Sequence, residues 1–341
     1  TWTVSDGTAS SANVGTMTLN VTAVNDAPTL SSGVTVTLTT TNEDSTSSAT
    51  TVSSLLSNAG YGDVDSGAAS GIAITLTSGN GHWQYSTDNG ANWFNIGTVS
   101  GSSSLLLAST AQVRYVPDGA NGETATIAFK AWDQTSGSAT AGASTGFADT
   151  STSGGSSAFS NTNAQAAMTI TSVNDAPTVG SAIGSQSATK DTAFSFAVPN
   201  GAFVDVDTGD SLTLTATLVD GSPLPAWLSF NPSTRTFSGT PARSDVGNLS
   251  IRVTATDSSS ATVSTTFGLT VNNSNLPPVV ATPVADQAVA QGGSFSFTVP
   301  AGTFTDPDAG EILTLRATLA DGSALPAWLS FDPATRTFSG T

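Results

Sequence analysis

Val173-Asn174-Asp175-Ala176-Pro177-Thr178 repeats Val24-Asn25-Asp26-Ala27-Pro28-Thr29 residue for residue. A looser version follows at Val271-Asn272-Asn273-Ser274-Asn275-Leu276-Pro277-Pro278. Each copy closes an alternating, strand-like run and presents side chains with oxygen atoms. It then places proline, which has no N–H to give to a strand ladder. The stretch is a joint, and joints of one design imply domains strung in series.

Downstream of Pro177 the repetition is strict. Pro177 and Pro278, Asp205 and Asp306, Trp227 and Trp328, and Phe237 and Phe338 are each 101 residues apart. Leu224-Pro225-Ala226-Trp227-Leu228-Ser229-Phe230 returns as Leu325-Pro326-Ala327-Trp328-Leu329-Ser330-Phe331. The first copy continues through Leu249, Ile251, Val253 and Ala255 and then Phe267, Leu269 and Val271, both with period two. The second reaches Thr341 before those strands. Short alternating runs, turn residues and prolines between them, and no apolar stripe of helical period predict an all-β chain of two-sheet β-sandwich domains in an extended array. Trp227 and Trp328, inside apolar blocks, are expected to be buried.

Upstream lies a longer unit, 26-173, with alternating runs at Val34, Val36, Leu38, at Ile72, Ile74, Leu76, and at Val113, Tyr115. Its clearest hairpin is His82 to Phe94, where Asn89-Gly90 supplies the positive φ angles of a tight turn. The low-complexity stretch Gln134 to Gln165 is too long for a structureless loop in a compact domain. It is expected to pair in part as a weak edge hairpin or to fold around an ion. Residues 1-25 read as the last two strands of an upstream repeat: Trp2 and Val4 alternate, Asp6-Gly7 turns, and Met17, Leu19 and Val21 alternate again. The expected division is thus 1-25, 26-173, 174-276, and 277-341 as a truncated second copy.

The 341 residues carry a net charge of -17 with only eight Lys and Arg. Nucleic acid and anionic lipid need basic patches that eight residues cannot build, so divalent cations are the better match. The chain has no cysteine, which excludes disulfides and thiolate metal sites. Thr1-Trp2-Thr3-Val4-Ser5-Asp6 is no signal peptide, and no apolar run is long enough to insert in a membrane. Any export signal or anchor is expected outside these residues.

Leu224-Pro225-x-Trp227-Leu228-x-Phe230, followed by Thr236-Phe237-Ser238-Gly239-Thr240-Pro241, resembles the dystroglycan-type cadherin-like repeat of very large bacterial surface proteins. That match covers residues 178 to 341. The longer unit, with Asn42-Glu43-Asp44, Asp63-Val64-Asp65-Ser66-Gly67, the Trp83 to Trp93 hairpin and Ala131-Trp132-Asp133-Gln134, looks like another repeat type of the same giant tandem-repeat adhesins. The resemblance implies tandem immunoglobulin-like/cadherin-like β-sandwiches, an extracellular or cell-surface location, calcium binding and cell adhesion. It transmits no adhesion ligand.

Cadherin-type repeats hold calcium between neighbours with an Asn/Asp linker, an Asp-x-Asp pair in the following domain and an Ala-x-Asp near its penultimate strand. By that pattern Asn25 and Asp26 would face Asp63, Asp65 and Asp133, while Asn174 and Asp175 would face Asp205, Asp207 and Asp257. Calcium takes six to eight oxygen ligands, which carboxylates spaced two apart and linker carbonyls suit. The third joint offers Asn272, Asn273 and Asn275 with no aspartate, although Asp306 and Asp308 follow, and is expected to be weaker or empty. Roles for Asp191, which becomes Gly292 in the next copy, and for Glu43 and Asp44 are less secure. The plainer reading is that Asp-x-Asp-x-Gly clusters are turns. Their recurrence beside Asn-Asp linkers favours ions.

Ser86-Thr87-Asp88-Asn89-Gly90-Ala91-Asn92-Trp93 is close to the Asp-box hairpin of sialidases, a structural motif. Trp83, Tyr85 and Trp93 would indicate a carbohydrate-binding module only as an exposed row. The single His82 has no evident nucleophile to serve, and an active site would break the repeat. The leading expectation is a non-enzymatic adhesive stalk with calcium at its joints. A carbohydrate-binding module and the ancillary domains of a polysaccharide-degrading enzyme are the alternatives. Because Trp2-Thr3-Val4-Ser5-Asp6 lines up with Val253-Thr254-Ala255-Thr256-Asp257, head-to-tail self-association is a further expectation.

Overall fold

The computed structural model describes residues 2–12, 14–308 and 310–341; Thr1, Asn13 and Ala309 lie outside the described residues. Two compact units divide the chain. The first holds Thr1–Thr178, Phe203–Leu212 and Thr256–Val263, so the carboxylate-bearing loops that follow the second joint belong to it. The second holds Val179–Ala202, Thr213–Ala255 and Ser264–Thr341.

In the first unit the long repeat is a sandwich. One sheet runs in the order Thr35–Thr37, Phe159–Thr171, Glu123–Trp132, Gly71–Ser78, Ser104–Ala108, Phe147–Ala148, and Thr41–Asn42 also pairs with Phe159–Thr171. The opposing sheet is Thr50–Thr51, Gln112–Val116, His82–Ser86, Phe94–Asn95. Period-two alternation sends Ile127, Phe129, Val113 and Tyr115 inward, where they meet Ile72, Ile74, Leu105 and Leu107 in one core. Thr35–Thr37 and Thr41–Asn42 run parallel to the long strand, and the main chain leaves that edge at Glu43. Glu43 N–H donates to Thr171 O at 3.1 Å.

Ser104–Ala108 reads Ser-Leu-Leu-Leu-Ala and is buried on both faces. The second cover is the low-complexity stretch. Leu106 packs with Trp132, Ala158 and Phe159, and Trp132 Nε1 donates to Ser136 O at 2.7 Å. Within that stretch Phe147–Ala148 is an edge strand, Ala141 and Ser144 bridge, and Phe159–Thr171 is a full strand. Weak edge pairing is therefore present, and the long strand was not expected.

The expectation of no helix fails at two short turns. Val52–Asn58 is an α-helix, capped where the Thr51 side chain accepts Ser54 N–H, with Val52, Leu55 and Leu56 buried at helical spacing. Arg243–Asp245 is a 3₁₀ turn. Both are too short for their period to stand out in sequence. The strands expected in residues 1-25 reduce to isolated bridges, Trp2 with Gly15 and Ser5 with Ser10. Met17, Leu19 and Val21 form no strand and are exposed.

The second unit carries a four-stranded sheet, Gln186–Thr189, Thr262–Asn272, Gly247–Thr256, Thr213–Leu218, and a three-stranded one, Phe194–Ala197, Thr236–Gly239, Leu228–Asn231. Phe237 is fully buried between them, its ring 5.5 Å from Phe267 and 4.6 Å from Phe230. The last copy repeats the three-stranded sheet in identical register: Phe194 pairs Gly239, and Phe295 pairs Gly340. Both glycines are required by close approach, since a Cβ on Gly239 would stand 1.8 Å from Trp227 O and one on Gly340 2.1 Å from Trp328 O. The strand equivalent to Gly247–Thr256 has no counterpart within the chain, and residues 314–319 form no strand.

Burial of the paired tryptophans does not hold. Trp227 is half-buried, its ring edge-on to Phe194 at 6.4 Å. Trp328 is 47% exposed. The indole lies beside the sheet margin, and Leu228 and Phe237 fill the centre instead.

Candidate metal centre

Three joints build one backbone frame. At the first, Asp65 N–H donates to Asp63 Oδ1 at 2.9 Å, Asp26 N–H to Asp65 Oδ2 at 2.8 Å, and Asn25 Nδ2 to Asp133 Oδ2 at 2.9 Å. At the second, Asp207 N–H donates to Asp205 Oδ1 at 3.0 Å, Asp175 N–H to Asp207 Oδ2 at 2.8 Å, and Asn174 Nδ2 to Asp257 Oδ2 at 3.0 Å. At the third, Asp308 N–H donates to Asp306 Oδ1 at 2.8 Å and Leu276 N–H to Asp308 Oδ2 at 2.6 Å. The Asp-x-Asp motif is thus a local turn, as its composition suggests. Its second carboxylate also accepts the linker N–H, which fixes the chain entering each repeat.

The second joint gathers the most carboxylate, all of it within the first unit. Glu43, Asp175 and Asp207 converge, as do Asp205, Asp207 and Asp210, with ligand oxygens in each group within 4.8 Å of one another. Glu43 is 2% exposed; one of its oxygens accepts Val173 N–H at 2.6 Å and the other, Oε2, meets no donor. Asp175 Oδ2, Asp205 Oδ2 and Asp210 Oδ2 are also buried without a donor. Loss of water contact, then the charges of Asp207, Asp44 and Asp205, pushes the Asp175 carboxyl above its ordinary value. Asp257 moves the other way, held down chiefly by the Asn174 amide and, with it, the N–H groups of Ala261 and Ser259. Asn121, from the loop before Glu123–Trp132, grips the same frame by accepting Thr208 N–H at 2.8 Å and donating to Val206 O at 3.0 Å.

The donor set fits a hard cation. Buried acceptors with no donor are costly unless something positive faces them. Such oxygens, on two carboxylate triads that share Asp207, are what calcium accepts and a nitrogen- or sulfur-seeking metal does not.

Of the sequence-predicted residues, the structure brings Asp175, Asp205 and Asp207 together and ties Asn174 to Asp257. It ties Asn25 to Asp133 and Asp26 to Asp65, but among the described residues the first joint has no third converging carboxylate. Burial and then the charge of Asp63 raise the Tyr61 hydroxyl there to about 12. Asp308 faces an ammonium: Lys190 Nζ stands 3.4 Å from its Oδ1. Asp210 and Asn121 were not anticipated. Glu43 was visible but had no partner in sequence, because the fold alone carries it across to the linker 130 residues later.

The hairpin aromatics form no exposed row. Trp83 and Tyr85 are buried, and Trp93 lies half-buried under Arg114, whose guanidinium carbon is 4.1 Å from the ring centroid. Asp88 accepts Asn92 N–H and Ser86 Oγ–H and is held down to about 2, chiefly by that backbone bond, so the Asp-box-like turn is structural.

Residues 176–272 and 277–341 match the family described as "Putative Ig domain". These segments are tandem Ig-like repeats. The serine-rich adhesin for platelets of Staphylococcus aureus is 31% identical to the chain over 118 residues, 35% of this chain and 5% of that adhesin. The chain therefore spans a small fraction of that relative's length. Among solved structures, human CDH23 EC21-23 is similar at 16% identity over 90% of this chain and 91% of that one, with a TM-score of 0.44. An endo-fucoidan hydrolase from glycoside hydrolase family 107 aligns at 16% identity over 73% of this chain and 29% of that one, with a TM-score of 0.26. Ig-like repeats, β-sandwiches and an adhesin relative agree with the expected class of tandem-repeat surface protein. Among the described residues no helix is long and apolar enough to cross a membrane.

Proposed function

We propose that this chain is a non-enzymatic segment of an adhesive stalk on a cell surface, with calcium stiffening the joints between its repeats. The repeats are taken as 26-173, 174-276 and 277-341, preceded by the end of another at 1-25. The observation that carries the reading is the set of buried, donor-less oxygens on Glu43, Asp175, Asp205 and Asp210 around Asp207. Without a cation these charges repel one another, and proline linkers do not by themselves fix the angle between two sandwiches. Calcium supplies the positive charge. Glu43 from the preceding repeat, Asp175 from the linker and Asp205, Asp207 and Asp210 from the following repeat would share it. An ion held by three segments at once ties them together. It also adds RT ln(1 + [L]/Kd) to stability, about 2.7 kcal/mol at a hundredfold excess over Kd.

Calorimetric titration of the full chain with calcium tests the reading. Saturable binding, lost at the second joint on Asp205→Asn with Asp207→Asn while the Asn25/Asp26 joint keeps its own, is expected. Melting temperatures identical in calcium and in chelator, with no heat of binding, would overturn it and leave the Asp clusters as turns.

A further inference from the structure

Glu43 and Lys190 hold one position in two successive repeats. Each follows a strand that runs parallel to the last strand of its own repeat: Thr41–Asn42 beside Phe159–Thr171, and Gln186–Thr189 beside Thr262–Asn272. Glu43 N–H donates to Thr171 O at 3.1 Å, and Lys190 N–H to Asn272 O at 3.0 Å. Both side chains are buried, 2% and 3% exposed, at the end of the sandwich that faces the next joint.

What they meet is also equivalent. Glu43 faces Asp207 and Asp175; Lys190 faces Asp308, which stands 101 residues after Asp207. Asp308 is itself 5% exposed, and Asp191 lies 4.0 Å from Lys190 Nζ on the other side. Two further exchanges accompany the reversal of charge. Asp175 becomes Leu276, which keeps the N–H bond to the Asp-x-Asp carboxylate but brings no charge of its own. Asp210 becomes Glu311, which is ion-paired with Arg243 from the loop that in the long repeat carries Asn121.

We propose that Lys190 is the resident cation of the third joint. Its ammonium occupies the place that calcium takes at the second, so the Ig-like repeats 174-276 and 277-341 are locked to each other without a metal. An ammonium cannot share a small site with a divalent ion, and with the linker carboxylate gone Asp308 faces one positive charge, the buried Lys190 ammonium, which is ion-paired at 3.4 Å and makes no hydrogen bond among the described residues. One chain thus contains an ion-dependent joint and an ion-independent joint built on the same frame. The proposal rests on the calcium reading for the second joint only where calcium serves as the probe.

Two arms test it. Calorimetric titration compares the full chain with its Lys190→Glu/Leu276→Asp variant, which restores the carboxylates of the second joint; the variant is expected to bind one more calcium per chain. Nitroxides at the exposed Ser195 and Ser296, each changed to cysteine in a chain with none, report the third joint in chelator. The distance distribution is expected to be narrow with Lys190 and to broaden on Lys190→Met. Equal calcium stoichiometry in the two titrated chains, or an equally narrow distribution after Lys190→Met, would overturn the assignment. A parent chain that takes up no calcium would sink the calcium reading of the second joint and remove the titration arm, and the chelator arm, which needs no metal, would then decide the assignment by itself.

Discussion

At the second joint the buried residue leaving the first strand pair is Glu43, the linker adds Asp175, and the oxygens around Asp207 lack donors. At the third joint the same places hold Lys190 and Leu276, and Asp308 has an ammonium at 3.4 Å. The backbone bonds of the Asp-x-Asp turn are the same to within a few tenths of an ångström. On the reading proposed above, the sign of one buried side chain, and not the frame, sets ion dependence: Glu43 calls for a cation at the second joint and Lys190 supplies one at the third.

The largest effect expected from breaking this contrast is at the third joint. Lys190→Met leaves Asp308 buried without its partner, and removing one member of a buried pair costs roughly 3–5 kcal/mol. Thermal melts should show that loss equally in calcium and in chelator. A loss rescued by calcium would mean that the site takes metal once the ammonium is gone, which would sharpen the comparison.

Next in size is the second joint. Asp205→Asn with Asp207→Asn should remove the calcium-dependent part of its stability, about 2.7 kcal/mol at a hundredfold excess, and leave stability in chelator unchanged or raised as repulsion falls. Glu43→Lys should have the same direction.

A smaller effect is the response to pH. Asp175 has a raised value in the folded chain, so it favours folding while protonated and that contribution is lost as pH rises through its folded value. Metal-free chain should therefore gain stability at this joint as pH falls toward the ordinary carboxylate range. Calcium affinity should weaken over the same interval, because protons and calcium compete for one oxygen. Asp257, with a lowered value, works in the opposite sense and contributes only above its unfolded value. Calorimetric affinities across that interval at the second joint make the check.

The smallest effect separates the two copies away from their joints. Trp227→Ala should cost roughly 1–3 kcal/mol, and Trp328→Ala less, since that indole is already 47% exposed. Head-to-tail association of chains, which we propose as a route to cover the exposed Leu319 and Trp328 margin, would reverse that order at high concentration. Light scattering that reports a strict monomer rules it out.

Much of this was legible in the sequence because the 101-residue repeat is strict and its joints are nearly identical. Period-two runs gave the strands, and the Asn-Asp linkers with Asp-x-Asp pairs gave the carboxylates that converge. What stayed hidden depends on distance in the fold. Glu43 and Lys190 lie in repeats of different length, so no alignment by spacing pairs them, and only the parallel edge strand shows that they end at the same place. Val52–Asn58 is a helix of seven residues, too brief for periodicity to reveal. The Gly- and Ser-rich stretch after Trp132 is expected to pair in part as a weak edge hairpin or to fold around an ion, yet it also covers a buried Trp132 and Leu106 through backbone bonds that composition does not encode.

The central claim, that one joint needs calcium and the next does not, is tested most directly by paired distance measurements in a single chain background. With no native cysteine, nitroxides can be placed at Ser102 and Ser195 to span the second joint, and at Ser195 and Ser296 to span the third. The account predicts that the Ser102/Ser195 distribution narrows when calcium replaces chelator, while the Ser195/Ser296 distribution is narrow in both. Two distributions that respond alike to calcium, whether both narrow or neither changes, would contradict it.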